Sequence, residues 1–537
     1  MKPFSRTKIR RRIFSLGASV LLMLSLVAHA SACTLFYAGG DLTDDGANLF
    51  IRVEDLSPYA FNKVSYVSPA GNHAKGEAYQ GCFGFTWTFT HDSYRYTALR
   101  DDNLSGVCPN CGGTDPHTPF EEAGTNDHGV TVSATESLFP YEAIEAADPF
   151  VPDGIGEAEI TTVLLSEAST AREGLSLLLG IFDNAGAKEA SGTMIADQNE
   201  QWYVECLSGH SYIALLLPRD VAFLQPNLSV LGRIDLDDRG HVIASEDFIS
   251  TALKAGTFAG DAAENIIDCR ASYNYRAGTE VNWADSVSRR LVSGQNFLTG
   301  KDDAPSFSFL EDNLFTLTNV SGDGKITSLH NSLVLKDKIG IDEVFALYRV
   351  EPIGRSSNVE AHLFRFYPDE EQIFGTVEWS TMGDCRFSAY VPSYPMLLTD
   401  TWEGCRVPLS LPAVTRDVPE GTKDYFVEDG DVYPFPENWS RSFFGTLKAL
   451  SNIFSFGTPD PDASVLTQSL MLQLQSGFEL EFAQLSKDLR AESSAGAREE
   501  LMTRSAAGMT ERVHDLALAL YRFFTYGESS PLIPSSM

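Results

Sequence analysis

Short apolar runs separated by turn residues follow the first thirty or so positions of the chain. Thr34–Ala38 and Asn48–Val53 are two such runs, and the segment between them contains Asp45-Gly46. This pattern predicts two strands joined by a long hairpin loop. A third apolar run, Gly129–Ala134, predicts another strand.

Helical spacing of apolar residues appears further along the chain. Residues 157–184 predict two helices with a break near Ser169. Further strands are predicted at Thr193–Ala196, Trp202–Cys206, Tyr212–Leu217, Val221–Gln225, Gly375–Ser380 and Arg386–Val391, and further helices around residues 246–255, 284–293, 341–349 and 460–526. Strands, then helices, then strands again favour an α+β layered sandwich over a regular βαβ series.

The first 32 residues have the layout of a secretory signal peptide. Six Lys/Arg residues precede an apolar run, Ile13–Ala28, and Ala30-Ser31-Ala32 supplies small residues before Cys33. The run is short for a bilayer span of about 20 residues, so cleavage before Cys33 is favoured over a membrane anchor. We therefore expect an exported protein that is periplasmic, extracellular or at the cell surface, with no membrane span in the mature chain.

Composition and charge narrow the function classes. Hydrophobic residues make up 43% of the 537 positions, enough for a large core. The formal net charge is −33, and loss of the six basic residues in positions 1–32 takes it to −39. Such a charge disfavours nucleic acid and anionic membranes as partners.

Eight cysteines leave the disulfide pairing open. Cys108-Pro-Asn-Cys111 favours a local bridge over half of a zinc site, because no second close pair accompanies it. No motif calls for a metal ion or an organic cofactor.

Cys33 is the candidate nucleophile. After cleavage it carries a thiol and a free α-amine on one residue. A thiol attacks a carbonyl as the thiolate, and an α-amine with a reference pKa of about 7.7–8.0 can accept its proton. One residue can therefore supply both the nucleophile and the base.

Two charged residues of the second strand are expected near Cys33. The hairpin turn is expected near Leu42 or Thr43. An antiparallel register about that turn places Arg52 opposite Cys33, where a guanidinium favours the thiolate. Asp55 follows three residues later, where a carboxylate can hold the α-amine. An ordinary ion pair at a strand end is the alternative interpretation.

Asn227 follows Pro226 at the end of an apolar strand. Acyl transfer needs hydrogen-bond donors aimed at the oxyanion of the tetrahedral intermediate, and an amide at this position can supply one. Asparagine is also a common turn residue, so that interpretation stays open.

Several short motifs follow one another between Cys33 and about residue 410. They are Cys33-Thr34, Asp45-Gly46, Arg52-Val53-Glu54-Asp55, Asn126-Asp127-His128-Gly129-Val130 with Ser133-Ala134-Thr135-Glu136, Trp202-Tyr203-Val204-Glu205 with Gly209-His210, Pro226-Asn227, and Glu360-Ala361-His362 with Val377-Glu378-Trp379 and Val391-Pro392. In this order they resemble the dipeptidase A family of N-terminal nucleophile (Ntn) hydrolases, which is related to bile-salt hydrolases and penicillin V acylases. The tail after about residue 440 matches less clearly.

The resemblance implies an αββα four-layer Ntn-hydrolase sandwich with a C-terminal helical extension. Residues 1–32 are then the signal peptide, 33–440 the catalytic domain and 441–537 the extension. The implied activity is hydrolysis of dipeptides or small peptides through a thioester acyl-enzyme on Cys33.

By position, the resemblance also assigns roles to single residues. Cys33 matches the nucleophile, Arg52 and Asp55 match residues around the thiol and amine, and Asn227 matches the oxyanion-hole amide. A further arginine of the acylases falls near residues 289–290, a poor match that receives no assignment.

Substrate binding is expected at two other positions. Glu136 falls where the acylases have an asparagine, which favours the dipeptidase branch and lets Glu136 meet a substrate amine. Asn126 is the second expected substrate-binding residue.

Two other functions stay open. A bile-salt or penicillin-type amidase would share the chemistry and differ in its pocket. A non-catalytic surface lipoprotein anchored through Cys33 also begins with cysteine after small residues, although Ala30 stands where a lipobox usually has leucine. We expect small peptides as substrates, no nucleic-acid partner, and a homo-oligomer as an open alternative to a monomer.

Overall fold

The computed structural model describes residues 33–56, 62–102, 120–274, 286–300, 316–319, 326–329, 336–407, 409, 423–428, 431–455 and 461–533. The predicted signal peptide and the pair Cys108 and Cys111 lie outside these residues. Within the described ranges, no helix combines the length and the apolar character that a bilayer crossing requires.

Strands dominate the first four-fifths of the chain. They are β1 (Thr34–Ala38), β2 (Asn48–Asp55), β3 (Asn62–Ser68), β4 (Ala78–Gln80), β5 (Thr86–Thr88), β6 (Tyr96–Asp102), β7 (Glu121–Thr125), β8 (Thr131–Glu136), β9 (Ser191–Ala196), β10 (Gln201–Cys206), β11 (Tyr212–Leu216), β12 (Ala222–Gln225), β13 (Arg233–Asp235), β14 (Val242–Ala244), β15 (Gly260–Asp261), β16 (Ile266–Asp268), β17 (Thr316–Asn319), β18 (Ile326–Leu329), β19 (Asn358–Phe366), β20 (Thr376–Met382), β21 (Val391–Ser393), β22 (Tyr425–Glu428) and β23 (Asp431–Pro434).

The helices fall into three groups along the chain. They are α1 (Glu142–Ala147), α2 (Glu157–Glu167), α3 (Ala171–Asn184), α4 (Phe248–Ala255), α5 (Cys269–Tyr273), α6 (Ser286–Thr299), α7 (Ile341–Leu347), α8 (Phe443–Ser455), α9 (Pro461–Ala491) and α10 (Ala495–Tyr526). The break predicted near Ser169 separates α2 from α3, where the Thr170 side chain caps α3 by accepting from the Glu173 N–H.

Two antiparallel sheets carry the fold. The first has six strands in the order β12-β1-β2-β19-β20-β21, and the second has eight in the order β14-β11-β10-β9-β8-β7-β6-β3. Their facing sides pack together through aromatic residues, with Phe223 of β12 contacting both Tyr37 of β1 and Tyr203 of β10. The predicted meander β9-β10-β11 is present in the eight-stranded sheet.

Helices cover the outer faces of both sheets. Against the eight-stranded sheet, α2 and α3 bury an apolar cluster that includes Leu164, Leu175 and Trp202. Against the six-stranded sheet, Trp379 of β20 contacts Phe345 of α7 and Phe482 of α9. The layer order is therefore helix, sheet, sheet, helix, as the sequence predicts, with a C-terminal helical region.

The C-terminal helices share the core of the sheets. Phe482 of α9 and Met502 of α10 belong to the same apolar cluster as the strands, while α8 and α10 pack near the edge strands β3 and β21. They cover sheet edges that would otherwise present unpaired backbone groups. The division at residue 440 remains a prediction about domains.

The structure corrects the predicted hairpin register. Leu35, not Cys33, lies opposite Arg52. The loop after β1 is held by distant segments, because the Gly39 N–H donates to the Val221 carbonyl at 2.8 Å and the Asp44 N–H donates to the Ile339 carbonyl at 3.2 Å. These long-range contacts shift the centre of the hairpin by one residue.

Two other strand assignments differ from the prediction. Arg386–Val391 is not one strand, because Cys385–Phe387 forms a 3-10 turn in which Asp384 accepts from the Arg386 N–H, and β21 begins at Val391. The sequence pattern did not predict β19, although this strand lies between β2 and β20 at the middle of its sheet.

The shared core predicts that a single residue of α9 affects the stability of the whole fold. Phe482→Ala should lower the free energy of unfolding by about 3–5 kcal/mol, because it removes a buried ring packed on Trp379 and Tyr394. Leu480→Ala, on the same helix and 78% exposed, should change it by less than about 0.5 kcal/mol. Denaturant unfolding measures both, and equal effects would contradict the shared core.

Candidate active site

Cys33 lies directly before β1, which pairs with β12 on one side and with β2 on the other, and it is 2% exposed. Leu35 pairs with Gln225 of β12, so the register continued by two residues brings Cys33 opposite Asn227. On the other side, Thr34 pairs with Val53, so the next position brings Cys33 opposite Glu54. The strand pairing therefore places Asn227 beside the candidate nucleophile.

Arg290 of α6 joins these two residues. Its Nη1 donates to the Cys33 carbonyl at 2.6 Å and to Thr34 Oγ1 at 2.7 Å, and its Nη2 donates to Asn227 Oδ1 at 2.5 Å. Asn227 has φ of 50°, a left-handed conformation that asparagine adopts more readily than most residues. The contact from Arg290 to Oδ1 therefore fixes the orientation of the Asn227 amide.

Arg52 extends from β2 across the space between the sheets. Its Nη2 lies 3.2 Å from Glu122 Oε2, its Nη1 lies 3.4 Å from Glu157 Oε1, and it also donates to the Ala134 carbonyl. Burial alone would lower the pKa of Arg52, but the Cys33 sulfur and the Glu122 carboxylate raise it overall. The guanidinium therefore stays charged while buried, and it lies within electrostatic reach of the Cys33 sulfur.

Asp55 ends β2 near the same end of the sheet. Its Oδ2 accepts from Arg355 at 2.7 Å, and its Oδ1 accepts from Ser357 Oγ at 3.0 Å and Asn358 Nδ2 at 2.6 Å. The carboxylate is 1% exposed. The Cys33 sulfur also contributes to raising the pKa of Arg355, so the partner of Asp55 lies within electrostatic reach of the thiol.

Lys63 of β3 occupies a place where three carboxylates could otherwise share a cation. The carboxylate oxygens of Glu54, Asp101 and Glu122 lie within 4.8 Å of one another. The Lys63 ammonium forms ion pairs with all three, including one of 2.6 Å to Asp101 and one of 3.1 Å to Glu122. Glu122 thus links the lysine to Arg52, and both cations help to lower its pKa against the effect of burial.

Glu136, at the end of β8, faces a cavity of about 930 Å³. Aromatic residues including Phe139, Tyr141 and Phe150 form part of the wall. Loss of hydration and repulsion from Glu189 raise the pKa of Glu136 to about 7, although the residue is exposed overall. The carboxylate oxygens of Glu136, Glu157 and Glu189 lie within 4.8 Å of one another, and the Lys188 ammonium pairs with Glu189 at 3.0 Å, so the cavity has an acidic corner with one cation beside it.

A short chain of contacts joins this cavity to Arg52. The Glu136 N–H donates to Glu157 Oε2 at 2.7 Å, and Glu157 Oε1 pairs with Arg52. Cys33 itself is not among the residues that line the cavity.

The structure corrects the prediction for Asn126. Its Nδ2 donates to the Leu165 and Ala168 carbonyls, and its Oδ1 accepts from the N–H groups of His128 and Val130. All these partners are backbone groups, and the side chain is fully buried. Asn126 therefore shapes the turn between β7 and β8 and holds the end of α2, and it is not placed to contact a substrate.

A buried histidine lies between the sheets beside Arg52. His362 is paired with Arg52 across β19 and β2, its Nε2 lies 2.9 Å from Ser133 Oγ, and its Nδ1 lies 2.9 Å from Glu360 Oε2. Burial lowers the pKa of His362, so the ring is neutral near pH 7. Because all three side chains are buried, this arrangement joins the sheets and is not open to a substrate.

The profile of Peptidase family C69 matches residues 32–304, just over half of the chain. A "Probable dipeptidase B" of Streptococcus pyogenes serotype M1 is 33% identical over 389 residues, which cover 70% of this chain and 75% of that protein. A "Probable dipeptidase" of Salmonella dublin is 30% identical over 375 residues, which cover 68% of this chain and 81% of that protein. The chain belongs to Peptidase family C69. The resemblance stated from the motifs is thereby confirmed, and the chain is a peptidase.

A solved structure of a mutant conjugated bile acid hydrolase from Clostridium perfringens aligns with 65% of the peptidase and 89% of its own chain, at 11% identity and a TM-score of 0.26. The layer order of the peptidase follows from its own strand pairing and helix packing.

The structure brings together Cys33, Arg52, Asp55 and Asn227, and sequence reasoning missed part of their surroundings. Arg290 is buried at the centre of the candidate site, although its sequence context gave a poor match. The one sequence feature that indicates burial of Arg290 is the pair of apolar residues that follows it in the predicted helix, Leu291 and Val292. The sequence around Lys63 does not indicate its ion pairs, because the three carboxylate partners come from separate strands.

The buried Lys63 network yields a stability prediction. Lys63→Met should lower the free energy of unfolding by about 3–5 kcal/mol, because three carboxylates would lose their common counter-charge. Lys338→Met, which removes an exposed ammonium, should have little effect. Denaturant unfolding at constant pH measures the difference. A Lys63→Met variant as stable as the parent would show that the ion pairs do not hold the sheets.

Proposed function

We propose that this peptidase is an exported dipeptidase in which Cys33 is the first residue of the mature chain and the nucleophile. The supporting observation is the strand register that sets Cys33 beside Asn227, with Arg290 bonded to both residues. The dipeptidase names of its relatives support the substrate class.

The proposed first half-reaction transfers an acyl group to sulfur. The α-amine of Cys33 accepts the thiol proton, and the thiolate attacks the peptide carbonyl to give a tetrahedral intermediate. The C–N bond then breaks, the α-ammonium returns the proton to the leaving amine, and a thioester remains on Cys33. Water, deprotonated by the same amine, hydrolyses the thioester and restores the thiol.

The surrounding groups fit those steps. Arg52 stabilises the thiolate before attack, since its charge is held between the sheets by Glu122 and Glu157. Asn227 Nδ2 donates to the oxyanion of the intermediate. Asp55, anchored by Arg355 and Asn358, orients the α-amine.

The acidic cavity corner suits a substrate with a free amino group. Glu136, with Glu157 and Glu189 nearby, offers negative charge to the α-ammonium of a dipeptide. The aromatic wall offers apolar contacts to its side chains. We also expect no nucleic-acid partner, because the large negative charge of the chain repels the phosphate backbone.

Export is part of the proposal, because the mechanism requires an unblocked amine at Cys33. The sequence layout of residues 1–32 supports cleavage before this residue. A lipid-anchored binding protein would have an acylated amine and no base, and membership of a peptidase family favours the hydrolase.

The nucleophile assignment is tested by substitution. Cys33→Ala should abolish dipeptide hydrolysis, and Cys33→Ser should reduce kcat by several orders of magnitude, because a hydroxyl ionises far less readily than a thiol. Cys206→Ala, which removes another buried thiol, should retain turnover. Assays on a dipeptide panel, with bile-salt conjugates and penicillin V alongside, measure the outcome. Normal turnover by Cys33→Ala would refute the assignment.

The role of Glu136 predicts a pH effect. With a pKa raised to about 7, Glu136 is neutral below that pH and ionised above it, so kcat/KM for dipeptides should rise as pH increases through about 7. Glu136→Gln should remove this limb and raise KM about tenfold, through loss of a charge-assisted contact. Glu142→Gln, on the same cavity wall, is the control. An unchanged profile in Glu136→Gln would exclude ammonium binding there.

A further inference from the structure

Glu205 ends the Trp202-Tyr203-Val204-Glu205 motif, and the proposed chemistry gives it no role. It lies on β10 of the eight-stranded sheet and is fully buried. A buried carboxylate destabilises the fold unless hydrogen bonds compensate for its lost hydration. The hydrogen-bond partners of Glu205 therefore indicate which segment of the chain it positions.

Three donors converge on this carboxylate. Tyr203 Oη donates to Glu205 Oε1 at 3.0 Å, and the Val230 N–H donates to the same oxygen at 2.9 Å. Ser229 Oγ donates to Oε2 at 2.5 Å. Two of the three donors therefore belong to one short segment, the loop after β12.

That segment carries the proposed oxyanion donor. Ser229 and Val230 follow Asn227 by two and three residues, and Leu228 between them is also buried. Asn227 has a φ of 50°, a left-handed conformation that is less common than the extended and right-handed ones even for asparagine. The two contacts from Glu205 fix the chain immediately after this residue.

The far end of the loop is fixed by a different element. The Arg270 N–H, at the start of α5, donates to the Leu231 carbonyl at 2.8 Å, and the Cys269 N–H donates to the Gly232 carbonyl at 2.9 Å. Arg290 holds the Asn227 side chain itself. Glu205 thus supplies the support between these two anchors.

We propose that Glu205 is a positioning residue for catalysis, which holds the loop after β12 so that Asn227 Nδ2 points at the oxyanion. This inference rests on the proposed function. It assigns Glu205 to the stabilisation of the tetrahedral intermediate and separates it from activation of the thiol, because its donors are Tyr203, Ser229 and Val230.

The two steps can be measured separately. Alkylation of Cys33 by iodoacetamide requires the thiolate and no oxyanion donor, whereas peptide turnover requires both. Glu205→Gln keeps the size of the side chain and cannot accept from all three donors in the same way. It should reduce kcat for a dipeptide roughly tenfold to a hundredfold, a loss comparable to impairing one oxyanion donor. KM and the alkylation rate should stay within about twofold of the parent values.

A double-mutant cycle tests the link to Asn227. If Glu205 acts through that amide, Glu205→Gln should cost little more kcat in an Asn227→Ala background, because the positioned group is already absent. Glu378→Gln is the matched control, since it also removes a buried carboxylate, on β20. It should leave kcat, KM and alkylation near the parent values.

A milder variant guards against misfolding. Ser229→Ala removes one donor and leaves Glu205 with the other two, so it should reduce kcat in the same direction by a smaller factor. Thermal unfolding of each variant confirms that a folded protein is assayed.

Several outcomes would overturn the inference. Parent-like kcat in Glu205→Gln, a parallel fall of kcat and alkylation, or full additivity with Asn227→Ala would each refute it while leaving the proposed function intact. Absence of dipeptide turnover in the parent enzyme, with Cys33 alkylated normally, would instead refute the proposed function and the inference together.

Discussion

The buried guanidinium of Arg52 is the interaction on which both the fold and the site depend. It leaves β2 of one sheet and reaches Glu122 on β7 and the Ala134 carbonyl on β8 of the other. A buried cation costs several kcal/mol unless its charge and its donors are compensated. The carboxylates that compensate this charge also hold the two sheets at a fixed spacing. The packing of the sheets therefore fixes the position of the Arg52 charge relative to Cys33.

The two sheets meet through ionic contacts in one part of their interface and through aromatic contacts in another. Beside β12, the facing sides meet through aromatic rings. Beside β2 and β19, they meet through Arg52, Lys63 and His362 with their acidic partners. Burial raises the pKa of Glu54 and Glu157 well above the ordinary value, and the neighbouring Lys63 and Arg52 oppose that rise. The polar region leads from the thiol toward the acidic corner of the cavity.

The sequence predicted the layers and the first hairpin, since these follow from local periodicity and from motif order. It placed the register two residues away because the loop after β1 is held by the Val221 and Ile339 carbonyls, far along the chain. It did not reveal β19, because Glu360 and His362 point into the ionic region and hide the apolar alternation of a strand. Asn126 was misassigned for a related reason: a conspicuous amide in a motif satisfies backbone groups as readily as a substrate, and only its partners distinguish the two roles.

The central claim is that sulfur and an unblocked amine belong to the same terminal residue. Mass spectrometry of the N-terminal peptide from the exported, active protein tests it most directly. The account predicts a chain that begins at Cys33 with a free α-amine. An active enzyme that begins at another residue, or that carries an acyl or lipid group on the Cys33 nitrogen, would contradict it.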